Sequence, residues 1–108
     1  MNLIFAAFAV TNVFGNLHLT RILMKENIQQ NIRAFIIENF LFGAANGDLQ
    51  DTDSLLEKGI IDSTGVLELV SHLEETYGFK VDDEELIPEN LDSIAFVTDY
   101  VLRKSQPA

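Results

Sequence analysis

Apolar positions recur at intervals of three and four residues in the middle of the chain, which is the spacing of one face of an α-helix. The first such run follows Met24. Its apolar stripe consists of Ile28, Ile32, Phe35, Ile36 and Phe40. Residues 43–53 come next, and their Gly, Asn and Asp content is typical of a loop. The pattern therefore predicts a first helix that ends near Phe40 and a long loop after it.

A second amphipathic run begins at Ser63 and ends before Gly78, where a glycine is typical of a helix C-terminus. Its apolar stripe consists of Val66, Leu69, Val70, Leu73 and Tyr77. Its polar side consists of Glu68, Ser71, His72 and Glu75. Apolar residues also precede this helix, and we expect them to hold the long loop against the core: Leu55, Leu56, Ile60 and Ile61.

The last helix follows an acidic connector that Pro88 prevents from joining it in one continuous helix. We expect at most one short helical turn in the connector. Asn90 is a plausible cap for the last helix, and Ser93 would face solvent one turn into it. Its inner face consists of Leu91, Ile94, Ala95, Thr98 and Val101. No segment alternates with period two, so we predict an all-α fold, a small four-helix bundle of three main helices and a short helical turn.

Residues 1–23 differ in composition from the rest of the chain, because Arg21 is their only charged residue and all 17 acids lie after them. We consider three interpretations: an apolar extension upstream of the domain, a segment resembling a secretory signal, or an additional element packed on the domain. The stretch has no basic beginning, and its apolar run is too short to span a bilayer. We therefore place the domain at residues 24–108.

The formal net charge of −10 argues against a nucleic acid partner and against an anionic membrane surface. It favours protein partners with basic patches instead. The chain contains no cysteine, which excludes a disulfide framework and a thiolate zinc site, and we expect no metal.

The dipeptide Asp-Ser occurs three times, with its serine at Ser54, Ser63 and Ser93. Ser54 would belong to a turn in the loop. Ser63 begins the second helix, where backbone N–H groups and the helix dipole favour a phosphate. Asp62 or Ser63 would cap this helix whether or not anything is attached there.

The order of these pieces resembles the acyl carrier protein family, also called phosphopantetheine-binding carrier proteins, through SLLEKGIIDSTGVLELVSHLEETYGFKVDDEELIPENLDSIAFVTDYV. The resemblance covers about residues 25–104. It implies that Ser63 receives 4′-phosphopantetheine from coenzyme A through a phosphopantetheinyl transferase that recognises Asp62. It also implies that partner enzymes bind the second helix through basic patches, at Thr64, Glu68, Glu74 and Glu75.

One departure from the family pattern concerns the cargo. Most members have leucine after the serine, whereas this chain has Thr64-Gly65. That sequence resembles discrete carriers outside housekeeping fatty-acid synthesis, including carriers of amino acids or D-alanine. The resemblance implies a stand-alone carrier that is not an enzyme and that holds an acyl or aminoacyl group as a thioester. We expect a cytoplasmic monomer that works with a loading ligase and downstream transferases, and the cargo stays open.

Three alternatives come from other classes of protein. A serine hydrolase would need a base near Ser63, but His72 is nine residues away and no G-x-S-x-G motif occurs. A calcium loop over residues 51–62 would place leucines where an oxygen ligand and a glycine are needed. The third alternative is an acidic interaction or adaptor domain that never receives the prosthetic group.

Overall fold

The computed structural model describes residues 17–41 and 49–105. The elements are α1 (Leu17–Phe40), α2 (Ser63–Tyr77), a 3₁₀ turn (Asp83–Glu85), α3 (Pro88–Leu91) and α4 (Ile94–Ser105). The two ranges contain no strand, and the predicted all-α bundle with a long connection between the first two helices is confirmed. None of these described helices is long and apolar enough to cross a membrane.

Helix α1 packs its predicted stripe into the core, with Ile28, Ile32 and Ile36 buried. It begins at Leu17, so it runs through the boundary that composition suggested at Met24. The helical bounds do not test whether residues 1–23 are a separate extension, and the domain boundary stays a prediction.

Helices α1 and α4 lie side by side and run in opposite directions. Lys25 of α1 forms an ion pair with Asp99 of α4, with 3.5 Å between Nζ and Oδ1. Further along α1, Arg33 binds the carboxylate of Asp51, whose backbone carbonyl accepts a 2.9 Å hydrogen bond from the N–H of Ala95. Asp51 therefore fastens the loop to both helices.

The second half of the loop is held against the core by Leu55 and Ile61, which are buried as predicted, while Ile60 is half-buried. The prediction is wrong for Leu56, which is 45% exposed. Leu55 already occupies the core position, and the next residue in the turn faces outward. The loop residues 42–48 lie outside the described part of the chain.

The position of Asn90 differs from the prediction. Asn90 is a buried residue of α3 and does not cap the last helix. Its side chain donates a 3.0 Å hydrogen bond to the carbonyl of Glu85 and accepts one of 2.8 Å from Arg103. The reason is Pro88, which suits the first position of a helix and starts a separate turn.

Ser93 takes the place expected of Asn90 at the start of α4. Its Oγ accepts a 2.9 Å hydrogen bond from the N–H of Phe96, and the residue is only 3% exposed. The prediction that Ser93 faces solvent inside the helix is therefore wrong. The inner face predicted for α4 is correct at Ile94, Thr98 and Val101.

Helices α1, α2 and α4, the loop and the end of α3 share one core. Its buried apolar residues are Ile28, Ile32, Ile36, Leu49, Leu55, Ile61, Leu69, Leu73, Leu91, Ile94, Val97, Tyr100, Val101 and Leu102.

Candidate functional site

Asp62 determines where α2 begins. Its backbone is extended, and its side chain accepts a 2.8 Å hydrogen bond from the N–H of Gly65. Its carbonyl accepts the first helical hydrogen bond, of 3.0 Å, from the N–H of Val66. A side-chain oxygen at this position satisfies an N–H group that would otherwise lack a partner. Ser63 is thereby fixed as the first helical residue.

Ser63 is exposed, and its hydroxyl makes no hydrogen bond to any other residue that the structure describes. The backbone N–H groups of Ser63 and Thr64 precede the first helical hydrogen bond, at the positive end of the α2 dipole. A phosphodiester on the Ser63 oxygen would therefore have room, and the helix end would favour its negative charge.

Ser54, in contrast, is used within the fold. Its hydroxyl donates a hydrogen bond to the carboxylate of Asp92 and accepts one of 3.1 Å from the N–H of Glu57. The preceding Asp53 forms an ion pair with Lys58 at 3.2 Å. These contacts confirm that Ser54 belongs to a turn.

Two of the three Asp-Ser pairs thus bind each other. Ser54 of one pair contacts Asp92 of another, and Ser93 is buried as the cap of α4. Sequence reasoning missed this contact, because the residues are 38 positions apart and no local pattern signals it. Ser63 is the one serine of the three pairs that is exposed.

The glycine of the unusual Thr64-Gly65 dipeptide has a packing role. Gly65 is buried, and a Cβ added there would lie 2.9 Å from Cε1 of Phe40 and 3.1 Å from Cγ2 of Ile61. Such distances are shorter than van der Waals contact. The ring of Phe40 can therefore approach the first turn of α2 because residue 65 has no side chain.

The solvent face of α2 begins beside Ser63 and carries Thr64, Glu68 and Glu75, all of them exposed. Leu67, which is 58% exposed, lies on the same face next to Glu68. The structure places these three predicted partner-binding residues on one surface. Their role in partner binding stays a prediction.

Glu74 differs from these residues, because its carboxylate already has a partner within the chain. It is half-buried and accepts a 2.9 Å hydrogen bond from the N–H of Val81. Glu74 therefore fastens the segment that follows α2, where Gly78 ends the helix with a positive φ of 77°. A contribution of Glu74 to partner binding stays a prediction as well.

His72 joins α2 to α1. Its ring stacks on Phe35 with 4.0 Å between centroids, and its Nε2 lies 2.9 Å from Oδ1 of Asn31. Burial lowers the pKa of His72, an effect that Glu75 partly opposes. Nine residues along a helix correspond to about 13 Å, which keeps this ring away from the Ser63 hydroxyl. His72 is therefore a boundary residue of the bundle.

The acids of the considered calcium loop serve separate purposes. Asp51 binds Arg33, Asp53 binds Lys58, and Asp62 caps α2. Within residues 17–41 and 49–105, no three His, Cys, Asp or Glu side chains are grouped so that they could hold a metal ion.

A cavity of about 150 Å³ lies beside the start of α2. Its lining includes Ile61 and Val66, which flank Ser63 in the sequence. Among the residues that the structure describes, the lining consists of Leu55, Leu56, Ile61, Val66, Leu86, Ile87, Pro88, Leu91 and Asp92. All but one of these residues are apolar. The large apolar residues Leu56, Leu86 and Ile87 are also exposed and form an apolar rim.

Fold and site together define a small helical domain that presents one serine at a helix N-terminus. The family model described as the phosphopantetheine attachment site matches residues 41–101, more than half of the chain. The chain therefore belongs to the phosphopantetheine-binding carrier protein family, whose domains are non-catalytic and carry a covalent 4′-phosphopantetheine arm. The predicted family, cofactor and absence of enzymatic activity are confirmed. Because the match spans all three Asp-Ser pairs, it does not select a serine.

Proposed function

We propose that Ser63 carries the phosphopantetheine arm and that the protein holds an acyl or aminoacyl group on it as a thioester. The observation that carries this assignment is the contrast among the three serines. Ser63 is exposed at the start of a capped helix, whereas Ser54 donates a hydrogen bond to Asp92 and Ser93 is buried. A transferase can reach only an accessible hydroxyl, and Ser63 fits that requirement.

The chain contributes positioning to the attachment. The transfer forms a bond between phosphorus and the Ser63 oxygen and breaks the pyrophosphate bond of coenzyme A, so that adenosine 3′,5′-bisphosphate leaves. The serine proton passes to a base of the transferase. Asp62 keeps the first turn of α2 in place, and the helix end favours the resulting negative charge. The arm supplies the thiol that the cysteine-free chain lacks.

The cavity beside Ser63 supports a cargo with a small apolar part. An apolar cavity of about 150 Å³ can hold a molecule the size of benzene, or about six carbons. Each methylene removed from water stabilises the bound state by about 0.8 kcal/mol. A short acyl chain and an aminoacyl group with an apolar side chain both meet this limit.

The proposed partners are a phosphopantetheinyl transferase, a loading ligase and downstream transferases. Exposed Thr64 and the acids Glu68 and Glu75 would meet basic patches on these enzymes. Carriers must leave each enzyme quickly, and exposed charge pairs give rapid but weak association. We propose a monomer, and we place it in the cytoplasm, where coenzyme A for the attachment of the arm is present.

Intact-mass measurement after incubation with coenzyme A and a broad-specificity phosphopantetheinyl transferase tests the assignment. We expect the wild type to gain the mass of one phosphopantetheinyl group and Ser63→Ala to gain nothing. Ser54→Ala and Ser93→Ala are the matched controls and should be modified like the wild type. An unmodified wild type would favour the adaptor alternative, and modification of Ser63→Ala would move the attachment to another residue.

A further inference from the structure

Among the described residues that line the apolar cavity beside Ser63, Asp92 is the one that carries a charge. It directly follows α3 and, with Leu91, forms one wall of the cavity, while Leu55 and Leu56 of the loop form another. A carboxylate at an apolar surface loses hydration, and this loss is offset only where the group accepts hydrogen bonds. The contacts of Asp92 should therefore explain its place.

Asp92 accepts hydrogen bonds from three consecutive residues of the loop. The hydroxyl of Ser54 donates to Oδ2, and the N–H of Leu56 donates to Oδ1 at 2.9 Å. The backbone carbonyl of Asp92 accepts a third hydrogen bond, of 2.8 Å, from the N–H of Leu55. One residue thus joins the two walls of the cavity.

Leu56 depends on this connection more than Leu55 does. Leu55 is buried and held by the core, whereas Leu56 is 45% exposed. The residues after it are exposed as well, and the turn is closed by a 3.0 Å hydrogen bond from the N–H of Gly59 to the carbonyl of Leu56. That bond lies within the loop and does not tie Leu56 to α3. The hydrogen bond from the N–H of Leu56 to the carboxylate of Asp92 does connect Leu56 to the end of α3.

We propose that Asp92 determines the size of cargo that the cavity accepts, because it holds Leu56 against the end of α3. Loss of its carboxylate lets Leu56 move outward and widens the cavity for longer apolar chains. Asp92 is a positioning residue, since it acts on the cargo through Leu56. The inference rests on the proposed function, in which the cargo enters this cavity.

The test compares holo protein with protein that carries straight-chain acyl groups of increasing length on the arm. For each variant, the measured quantity is the shift in melting temperature of the acyl form relative to its own holo form. In the wild type we expect this shift to grow with acyl chain length and to level off at about six carbons. In Asp92→Ala it should level off several carbons later. The plateau length is the acyl chain length at which the shift levels off, and an equal plateau length in Asp92→Ala and the wild type would overturn the proposal.

Two further variants separate this role from a general loss of stability. Asp51→Ala removes another carboxylate that fastens the same loop, but Asp51 binds Arg33 and does not line the cavity. It should lower the melting temperature of the holo form and leave the plateau length unchanged. Asp92→Asn keeps an oxygen for the N–H of Leu56 and should return the plateau towards that of the wild type. A plateau shift in Asp51→Ala equal to that in Asp92→Ala would contradict the assignment.

Hydrogen exchange of the Leu56 amide in the protein without the arm provides a readout that does not depend on cargo. We expect exchange about tenfold faster or more in Asp92→Ala, and an intermediate change in Ser54→Ala. Unchanged exchange would overturn the proposal even if loading succeeds.

Failed attachment in the wild type would instead refute the proposed function, and this measurement would still decide whether Asp92 holds Leu56. If acyl groups attach but stabilise the wild type at no length, the cavity does not take cargo and the inference falls.

Discussion

The first turn of α2 contains a residue whose lack of a side chain matters. Gly65 donates its N–H to Asp62 and faces the ring of Phe40 at a distance that leaves no space for a methyl group. Glycine inside a helix usually costs up to about 1 kcal/mol relative to alanine. Here that cost is offset by close packing of α1 against α2, directly beside Ser63.

We predict that Gly65→Ala destabilises the protein by about 1 kcal/mol, the balance between about 1–3 kcal/mol of overpacking and the gain in helix propensity. Urea unfolding measures the difference. In a Phe40→Leu background the edge of the aromatic ring is absent, so Gly65→Ala should lower the free energy of unfolding by less. If Gly65→Ala leaves the free energy of unfolding unchanged in both backgrounds, contact with Phe40 does not restrict residue 65 to glycine.

The acidic connector between α2 and α3 is fastened to α4 through Glu85. Its carboxylate accepts hydrogen bonds from the N–H of Asp82 at 3.0 Å, from the hydroxyl of Tyr100 at 2.8 Å and from Lys104 at 3.0 Å. The Asp82 hydrogen bond, followed by those from Lys104 and Tyr100, lowers the pKa of Glu85 to about 2. Tyr100 itself is part of the core, so the connector is joined to the buried face of the bundle.

The lowered pKa of Glu85 predicts a specific pH dependence of stability. The carboxylate is harder to protonate in the folded state than in the unfolded state, where its pKa is near 4.5. Its stabilising contribution is therefore complete above about pH 4.5 and is lost as the pH falls towards about 2. Urea unfolding of the wild type and Glu85→Gln should show a stability difference that shrinks over this range. Glu84→Gln, at an exposed neighbour, should follow the wild type at every pH, and a constant difference for Glu85→Gln would contradict the role.

The acidic residues are unevenly distributed along the chain. All 17 acids lie after residue 23, and the net charge is −10. The exposed face of α2 places Glu68 and Glu75 along the helix that begins at Ser63. Long-range attraction between these acids and basic patches on partner enzymes mainly speeds association, and it is screened by salt.

We predict that Glu68→Lys raises the KM of the phosphopantetheinyl transferase for this protein by roughly fivefold at low salt, while kcat changes little. The matched control is Glu38→Lys, which makes the same charge change at an exposed position of α1. Steady-state kinetics at low and high ionic strength measures both variants. An equal effect of the two substitutions would mean that net charge, and not the α2 face, governs recognition.

Local patterns determined much of this protein without tertiary information. The periodic stripes of α1, α2 and α4 could be predicted because side chains three and four apart share a helix face. Gly78 could be identified as the end of α2 because helices commonly end with a glycine of positive φ. The order of these pieces was also enough to indicate the carrier family. Each of these inferences depends on residues close together in the chain.

Tertiary structure decided what depends on residues far apart. The local pattern predicts a cap of the last helix at Asn90, but Pro88 begins a separate turn and Ser93 acts as the cap. The contact between Ser54 and Asp92 could not be predicted, since 38 residues separate them and folding alone brings them together. The same contact supports the choice of Ser63 and forms part of the cavity wall. Short-range periodicity selects the helices, but packing decides which polar groups are satisfied inside the fold and which remain available to a partner.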